Sequence, residues 1–189
     1  MTTEFTSLNL RPELEQAILE LGYVTPTAIQ ADMIPLMLTG VDVIGQAQTG
    51  TGKTAAFALP ILHNYIHQRL PQALILAPTR ELAIQIDEAF QEIARSFMLK
   101  TACLIGGAPM QGQIQALRRN PRIVIATPGR LLDHISQWNF MPNDVTMLVL
   151  DEADRMLDMG FAPQIMKILR FLPKDRQTML FSATIPKEI

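Results

Sequence analysis

The sequence predicts an α/β fold with a mostly parallel central sheet and helices on both of its faces. Three observations carry this. Short apolar runs recur along the chain, at 43–44, 73–77, 102–105, 123–126, 147–150 and 178–181. Segments between them, such as 81–97 and 128–135, have the polar and apolar spacing of helices. The runs are apolar throughout instead of alternating, which marks strands buried on both faces and therefore a parallel sheet covered on each side.

Taken in order, residues 12–21 place Leu14, Ala17, Ile18 and Leu21 at helical spacing, with Pro12 to open the helix and Gly22 to stop it. A second helix is predicted over 29–38, ending before Gly40. The first strand follows at 43–44, then a glycine-rich turn, then a helix opening at 55–59. With 189 residues, 48% of them hydrophobic, one domain with one substantial core is expected. No internal repeat or low-complexity linker breaks the run.

Bulk properties exclude several classes. No apolar run approaches the ~20 residues that span a bilayer, and Met1 to Phe5 lack the basic start and apolar core of a secretory signal. A soluble, cytoplasmic protein is expected. The single Cys103 has no partner for an internal disulfide and is expected to pack in the core. Net charge is −2 without a long like-charge run, so contact with a nucleic acid would need a local groove.

The stretch with the clearest chemistry is Ala47-Gln48-Thr49-Gly50-Thr51-Gly52-Lys53-Thr54. Strand, glycine loop and helix in succession form the context in which a loop cradles phosphates. Gly50 and Gly52 allow the backbone to curl so that N–H groups converge on oxygens, and the helix N-terminus adds partial positive charge. Lys53 would reach the outer phosphates and the Thr54 hydroxyl would ligate Mg²⁺. The general pattern has glycine where this chain has Ala47. A Gly/Thr-rich turn capping a helix is the plainer alternative.

In parallel sheets ligands bind beyond the carboxyl ends of the strands. The residues following the predicted strands should therefore share one rim: 46–54, 78–81, Gly106-Gly107, 127–130, 151–154 and 182–184. Asp151 closes the run 147–150, so its carboxylate is aimed at the glycine loop, where it would hold Mg²⁺ through water. Glu152 is placed to polarise a water for in-line attack on a γ-phosphate. An acidic first turn of a helix is the alternative, since the helix dipole favours it.

These motifs, Ala47 to Thr54, Pro78-Thr79-Arg80-Glu81-Leu82-Ala83, Thr127-Pro128-Gly129-Arg130, Asp151-Glu152-Ala153-Asp154 and Ser182-Ala183-Thr184, resemble the N-terminal RecA-like domain of the DEAD-box RNA helicases. Ala47 is what that family's own loop carries. Gly22-Tyr23-Val24-Thr25-Pro26-Thr27-Ala28-Ile29-Gln30 is similar to the family's Q motif, with Phe5 as its distant aromatic. The resemblance covers essentially the whole chain.

The resemblance implies an ATP-dependent RNA helicase that uses ATP and Mg²⁺. It implies one domain over 1–189, a Q-motif helical region over 1–40, and a second RecA-like domain that this sequence does not contain. Tyr23, Thr25, Gln30 and the loop residues Gln48, Thr49, Gly50, Thr51, Gly52, Lys53 and Thr54 would bind nucleotide. Gln30 would read the adenine edge and Tyr23 would stack on the base, although the residues alone favour Tyr23 as a helix-end aromatic packed in the core. Lys53, Asp151 and Glu152 would be catalytic, with Thr54 and Asp151 at the metal. Thr79, Arg80, Gly106, Gly107, Thr127 and Arg130 would grip the RNA backbone without reading bases. Arg80 and Arg130 could instead pair with Glu81 and Asp133. Asp154, Ser182 and Thr184 would couple the two sites, or the two hydroxyls could simply cap the strand end.

The domain is expected to be monomeric in isolation. Because the family's arginines facing the γ-phosphate come from the second domain, it is also expected to be nearly inactive alone. Two rival functions are a non-catalytic nucleotide-binding interaction module and a DNA-translocating ATPase of related fold. Intact Lys53, Thr54, Asp151 and Glu152 argue against the first, and Gln30 with the spelling of 151–154 against the second. His63 and His67, four apart on a helix, are assigned to a helix face, Trp138 to local packing in a turn, and the methionines, Met156 and Met159 among them, to core filling.

Overall fold

The computed structural model describes residues 4–48, 50–68 and 72–185, with residues 67 and 68 described by backbone alone. Among these residues six strands form one sheet: β1 (Val43–Gln46), β2 (Gln72–Leu76), β3 (Thr101–Leu104), β4 (Ile123–Ala126), β5 (Val145–Leu150) and β6 (Gln177–Ser182). Their order is β1-β6-β5-β2-β4-β3, and every neighbouring pair is parallel. Each predicted apolar run is a strand.

Among the described residues eight α-helices accompany them: α1 (Pro12–Glu20), α2 (Ala28–Leu38), α3 (Lys53–Gln68), α4 (Arg80–Ile93), α5 (Met110–Arg118), α6 (Pro128–Ser136), α7 (Ala153–Asp158) and α8 (Ala162–Phe171). Pro12 and Pro128 sit at helix starts, where the missing N–H is not needed. Thr79 caps α4, its hydroxyl accepting from Leu82 N at 3.2 Å. Gly22 and Gly40 follow α1 and α2 with φ of +85° and +83°, a conformation open to glycine. The first three helices lie within a residue or two of their predicted bounds. Helix α4 stops earlier than the periodicity of 81–97 suggests, because Phe97 and Leu99 fold back onto the core instead of continuing the helix.

Period-two alternation within the strands builds two cores, one on each face. Ala73, Ile75, Ile125, Val149 and Phe181 pack with α1 to α4. Leu74, Leu76, Val124, Leu148 and Leu150 pack with α6, α7 and α8. On the first face the rings of Phe57 and Phe90 lie 6.3 Å apart, and those of Phe57 and Phe181 5.5 Å.

Cys103 lies on the edge strand β3, half-buried and packed against the first core, and burial pushes its thiol up to about 12. Met33, Met37, Met147, Met156 and Met179 are buried, but Met98, Met141, Met159 and Met166 are exposed. Trp138 is 79% exposed at the end of α6, not packed in its turn. His63 is half-buried on α3, and the side chain of His67 lies outside the described residues. Among the described residues no helix is long and apolar enough to cross a membrane.

Removing the aromatic at the centre of the first core should cost about 3–5 kcal/mol. In urea unfolding, Phe57→Ala is expected to show that loss, whereas Trp138→Ala should stay within about 0.5 kcal/mol of the parent.

Candidate functional site

The rim at the carboxyl ends of the strands is assembled first around the loop after β1. Ala47 N donates to Ser182 O at 3.0 Å, and Thr51 Oγ1 donates to Gln48 O at 2.7 Å. Gly50 and Gly52 have φ of +82° and +88°, the left-handed region that the curl of the loop needs. Helix α3 begins at Lys53, two residues earlier than predicted, so Lys53 and Thr54 belong to its first turn, where N–H groups are unpaired. Thr49 lies outside the described residues.

The N-terminus of α2 abuts this loop. Gln30, 3% exposed, donates through Nε2 to Gly52 O at 3.1 Å, and its Oε1 accepts from Thr27 N at 2.9 Å. The amide assigned to an adenine edge is thus engaged at both ends by the protein, with one N–H and one lone pair remaining. A Cβ added at Gly52 would lie 2.5 Å from Gln30 Nε2. Thr25 is exposed. Tyr23 is half-buried, edge-on to Phe5 with ring centroids 6.0 Å apart, and packs against the core. Its phenol is held above the ordinary range by burial and by the nearby Glu92 charge.

Across β6 from the loop, at the end of β5, sits Asp151. Lys53 Nζ lies 3.9 Å from Asp151 Oδ1, with exposures of 6% and 2%. That separation is too long for a hydrogen bond, and Lys53 Nζ has no hydrogen-bond partner among the described residues. Burial pushes the Asp151 carboxyl up to about 6, with Lys53 opposing the rise and Glu152 adding to it. Glu152 N donates to Asp151 Oδ1 at 2.9 Å. Glu152 itself has φ 50° and ψ 52°, and its Oε2 meets Arg155 Nη1 at 3.3 Å.

Asp154, Ser182 and Thr184 are joined by hydrogen bonds. Asp154 N donates to Ser182 Oγ at 3.1 Å, and Asp154 Oδ2 accepts from Thr184 N at 2.9 Å and Thr184 Oγ1 at 3.0 Å. Partial burial would raise the Asp154 carboxyl, but the bonds from Thr184, Arg155 N and Ser182 outweigh it and hold the group below its ordinary value. Ser182, fully buried, therefore touches the glycine loop through its carbonyl and the acidic motif through its hydroxyl.

The other half of the rim follows β2, β4 and β3. Thr79 is occupied in its capping bond. Arg80 is exposed and its guanidinium lies over Gly107, whose φ of +73° and bare Cα leave room for it; a Cβ there would run into the Arg80 nitrogens. Thr127 N donates to Leu104 O at 3.0 Å, bringing the end of β4 beside Gly106. Arg130 donates to Ala108 O at 3.0 Å and stands 3.8 Å from Asp133, so the alternative pairing is present for this arginine. Arg80 and Glu81 form no ion pair among the described residues.

Two buried residues that the motifs do not include tie this half together. Gln113 Nε2 donates to Ile105 O at 2.9 Å, and Gln113 Oε1 faces His134 Nε2 at 3.0 Å. Because that oxygen only accepts, Nε2 carries the proton, and burial together with Arg130 keeps His134 neutral by lowering its pKa. Gln111, Gln113 and Gln115 alternate along α5, and nothing in the sequence distinguishes the buried one.

The DEAD/DEAH box helicase family model matches residues 27–189. The chain is 50% identical over 187 residues to the ATP-dependent RNA helicase DeaD of Buchnera aphidicola subsp. Acyrthosiphon pisum, covering 98% of this chain and 31% of that protein. It is 49% identical over 191 residues to the DEAD-box ATP-dependent RNA helicase CshA of Bacillus subtilis, covering 100% of this chain and 38% of that one. The crystal structure of a DEAD box protein from Methanococcus jannaschii superposes with a TM-score of 0.91 at 42% identity, over 98% of this chain and 51% of the other. The chain spans about a third of the length of the curated relatives it matches.

Gly50→Ala and Gly52→Ala should separate conformational strain from crowding. Both place alanine at positive φ, at about 1 kcal/mol each, but among the described residues a Cβ at 52 meets a neighbour and a Cβ at 50 has nothing within 4 Å. Thermal unfolding should show the larger loss for Gly52→Ala. A Gln30→Ala background should shrink the excess.

Proposed function

The chain belongs to the DEAD/DEAH box helicase family, and on that footing we propose that residues 1–189 are the N-terminal, ATP-binding RecA-like domain of an ATP-dependent RNA helicase, with a Q-motif helical region over 1–40. The observation that carries this reading is the meeting of Lys53 and Asp151 at the glycine loop, 3.9 Å apart and both buried. An ammonium group enclosed without a hydrogen-bond partner among the described residues is what a phosphate oxygen would satisfy. A carboxylate whose pKa burial lifts to about 6 is one that a cation would hold ionised.

Thr54 and Asp151 would hold Mg²⁺, which prefers few protein oxygens, several waters and substrate phosphates. When bound, the metal would neutralise charge building on the phosphates. The chain's own residues do the rest. The curled backbone from Gln48 to Gly52 and the first turn of α3 receive phosphate oxygens, and Lys53 offers its charge to the outermost. Glu152 orients and deprotonates the attacking water. Gln30 and Tyr23 are the candidates for the adenine, with Gln30 also holding the loop through Gly52 O. Thr79, Arg80, Gly106, Gly107, Thr127 and Arg130 take the sugar-phosphate backbone of RNA, and Asp154, Ser182 and Thr184 connect the two halves. Unwinding of RNA would require a second RecA-like domain supplying arginines to the γ-phosphate. The domain would work as a monomer in the cytoplasm, away from membranes.

Calorimetric titration with ADP and Mg²⁺ tests the nucleotide site: Lys53→Ala should lose binding. A Lys53→Ala variant that folds and binds as the parent does would end the proposal. The metal-dependent part of the affinity should be present above pH 6 and lost as the pH falls through about 6, where Asp151 takes up its proton. That is read as the difference between titrations with Mg²⁺ and with a chelator, and Asp151→Asn should abolish the difference at every pH.

The chain by itself should hydrolyse ATP very slowly and without stimulation by RNA, since an arginine supplied from outside contributes ~10³ to 10⁵ in rate to comparable phosphoryl transfers. A phosphate-release assay with and without single-stranded RNA checks this, and robust RNA-stimulated turnover would refute the division of labour.

A further inference from the structure

We propose that the amino ends of β3 and β4, at the opposite end of the sheet from the motif rim, form a second contact for the RNA backbone. This rests on the reading of the rim as the first such contact. Between Glu92 and Asp133 the chain carries Arg95, Lys100, Arg118, Arg119, Arg122 and Arg130 without a single Asp or Glu, within a protein of net charge −2. Arg130 belongs to the rim. The other five are brought to the opposite end by the topology: Lys100 and Arg122 directly precede β3 and β4, Arg118 and Arg119 end and follow α5, and Arg95 follows α4. Among the described residues none of the five is in an ion pair.

Two adjoining cavities, of about 460 and 350 Å³, lie in this region and share Met98 and Lys100. The larger adds Tyr65, Phe97 and Arg122, and the smaller adds Arg95 and Arg119. Cations interleaved with aromatic rings are the combination that binds a single strand, charges on phosphates and rings under bases. Three acids lie on the α4 side of this region: Glu88 and Glu92 beside Arg95, and Asp87, which accepts from Gln91 Nε2 at 2.9 Å.

The two ends are linked by β3, among the described residues an edge strand paired on one side only. Its carboxyl end leads to Gly106-Gly107 and its amino end to Lys100. Six steps at ~3.3 Å each, from Lys100 to Gly106, put the two contacts about 20 Å apart at most, which a few nucleotides of single strand can cross. An RNA held at the rim can thus continue down the edge of the sheet and meet the second set of charges.

Fluorescence anisotropy of the chain with labelled twenty-nucleotide oligouridylate, from 50 to 200 mM KCl, tests this. Each phosphate contact adds about 0.7 to the salt slope for a single strand, so the triple variant Lys100→Gln/Arg118→Gln/Arg119→Gln should lower the slope by about 2, with Tm and ADP affinity unchanged. Arg80→Gln, in the rim, should lower it independently by about 0.7. If the triple variant keeps the parental slope while Arg80→Gln reduces it, the second contact is wrong and the rim reading stands. If only the triple variant responds, the second contact stands and the rim assignment fails. Absence of binding at 50 mM KCl, or displacement of polyglutamate but not of RNA from this face, would overturn the proposal, the latter in favour of an acidic protein partner.

Discussion

Two opposite charges, enclosed together but held just too far apart to bond, set the terms for the rest of this molecule. Lys53 and Asp151 are removed from water, and neither fully compensates the other at 3.9 Å. The effect on stability has a definite sign. Burial raises the Asp151 pKa from 3.8 to about 6, so the folded chain holds that proton more tightly than the unfolded one. The group's favourable contribution is greatest below its unfolded value and is lost as the pH rises through about 6. Near neutrality the carboxylate is therefore a burden that two cores of aliphatic and aromatic packing must carry. A site that opposes folding is where binding free energy can be gained, because an anion at Lys53 and a cation at Asp151 would each meet an unmet charge.

The pair meets only because of how the chain winds. Strand β6 is inserted between β1 and β5, so the loop after β1 must reach over its neighbour to the acid after β5. Ser182, the last residue of β6, stands at that crossing and bonds to both sides, through its carbonyl to Ala47 N and through its hydroxyl to Asp154 N. The same order divides the rim. The glycine loop, 182–184 and 151–154 follow the three strands at one side, whereas 78–81, 127–130 and Gly106-Gly107 follow the three at the other. Beside β5, β2 joins the two halves, and Asp151 N donates to Leu76 O across that seam at 3.0 Å. Residues scattered from 46 to 184 are thus sorted by topology into two chemically distinct groups.

The strands were legible because strands buried on both faces must be apolar throughout, and each strand end then marked a rim position without further information. The glycine loop was legible because positive φ leaves few other residue types. What could not be read were contacts that depend on three-dimensional neighbours. Nothing local says that Gln30 spends its amide on Gly52 O, that Gln113 rather than Gln111 or Gln115 turns inward to His134, or that Tyr23 leans on Phe5. Residue type misled at Trp138 and Met159 and held in part at Cys103. Each is of a kind usually packed away, yet Trp138 and Met159 are exposed at helix ends and Cys103, on the edge strand, is only partly covered by the first core. The early start of α3 escaped because Lys53 and Thr54 look like loop residues, although a helix N-terminus is where their chemistry has most effect.

The turn from β5 into α7 explains why two adjacent acids can serve different partners. With ordinary strand geometry, Glu152 would point to the opposite face from Asp151 and into the core. Its left-handed backbone, φ 50° and ψ 52°, rotates the chain before α7 begins, so Asp151 faces Lys53 while Glu152 turns toward Arg155. A non-glycine residue in this conformation carries strain of about 1 kcal/mol, and the surrounding bonds hold it there. Glu152 N is anchored to Asp151 Oδ1 on one side and Asp154 N to Ser182 Oγ on the other. Thr184, exposed, adds two bonds to the Asp154 carboxylate. The strained turn is therefore fastened from its outer side by a residue at the surface.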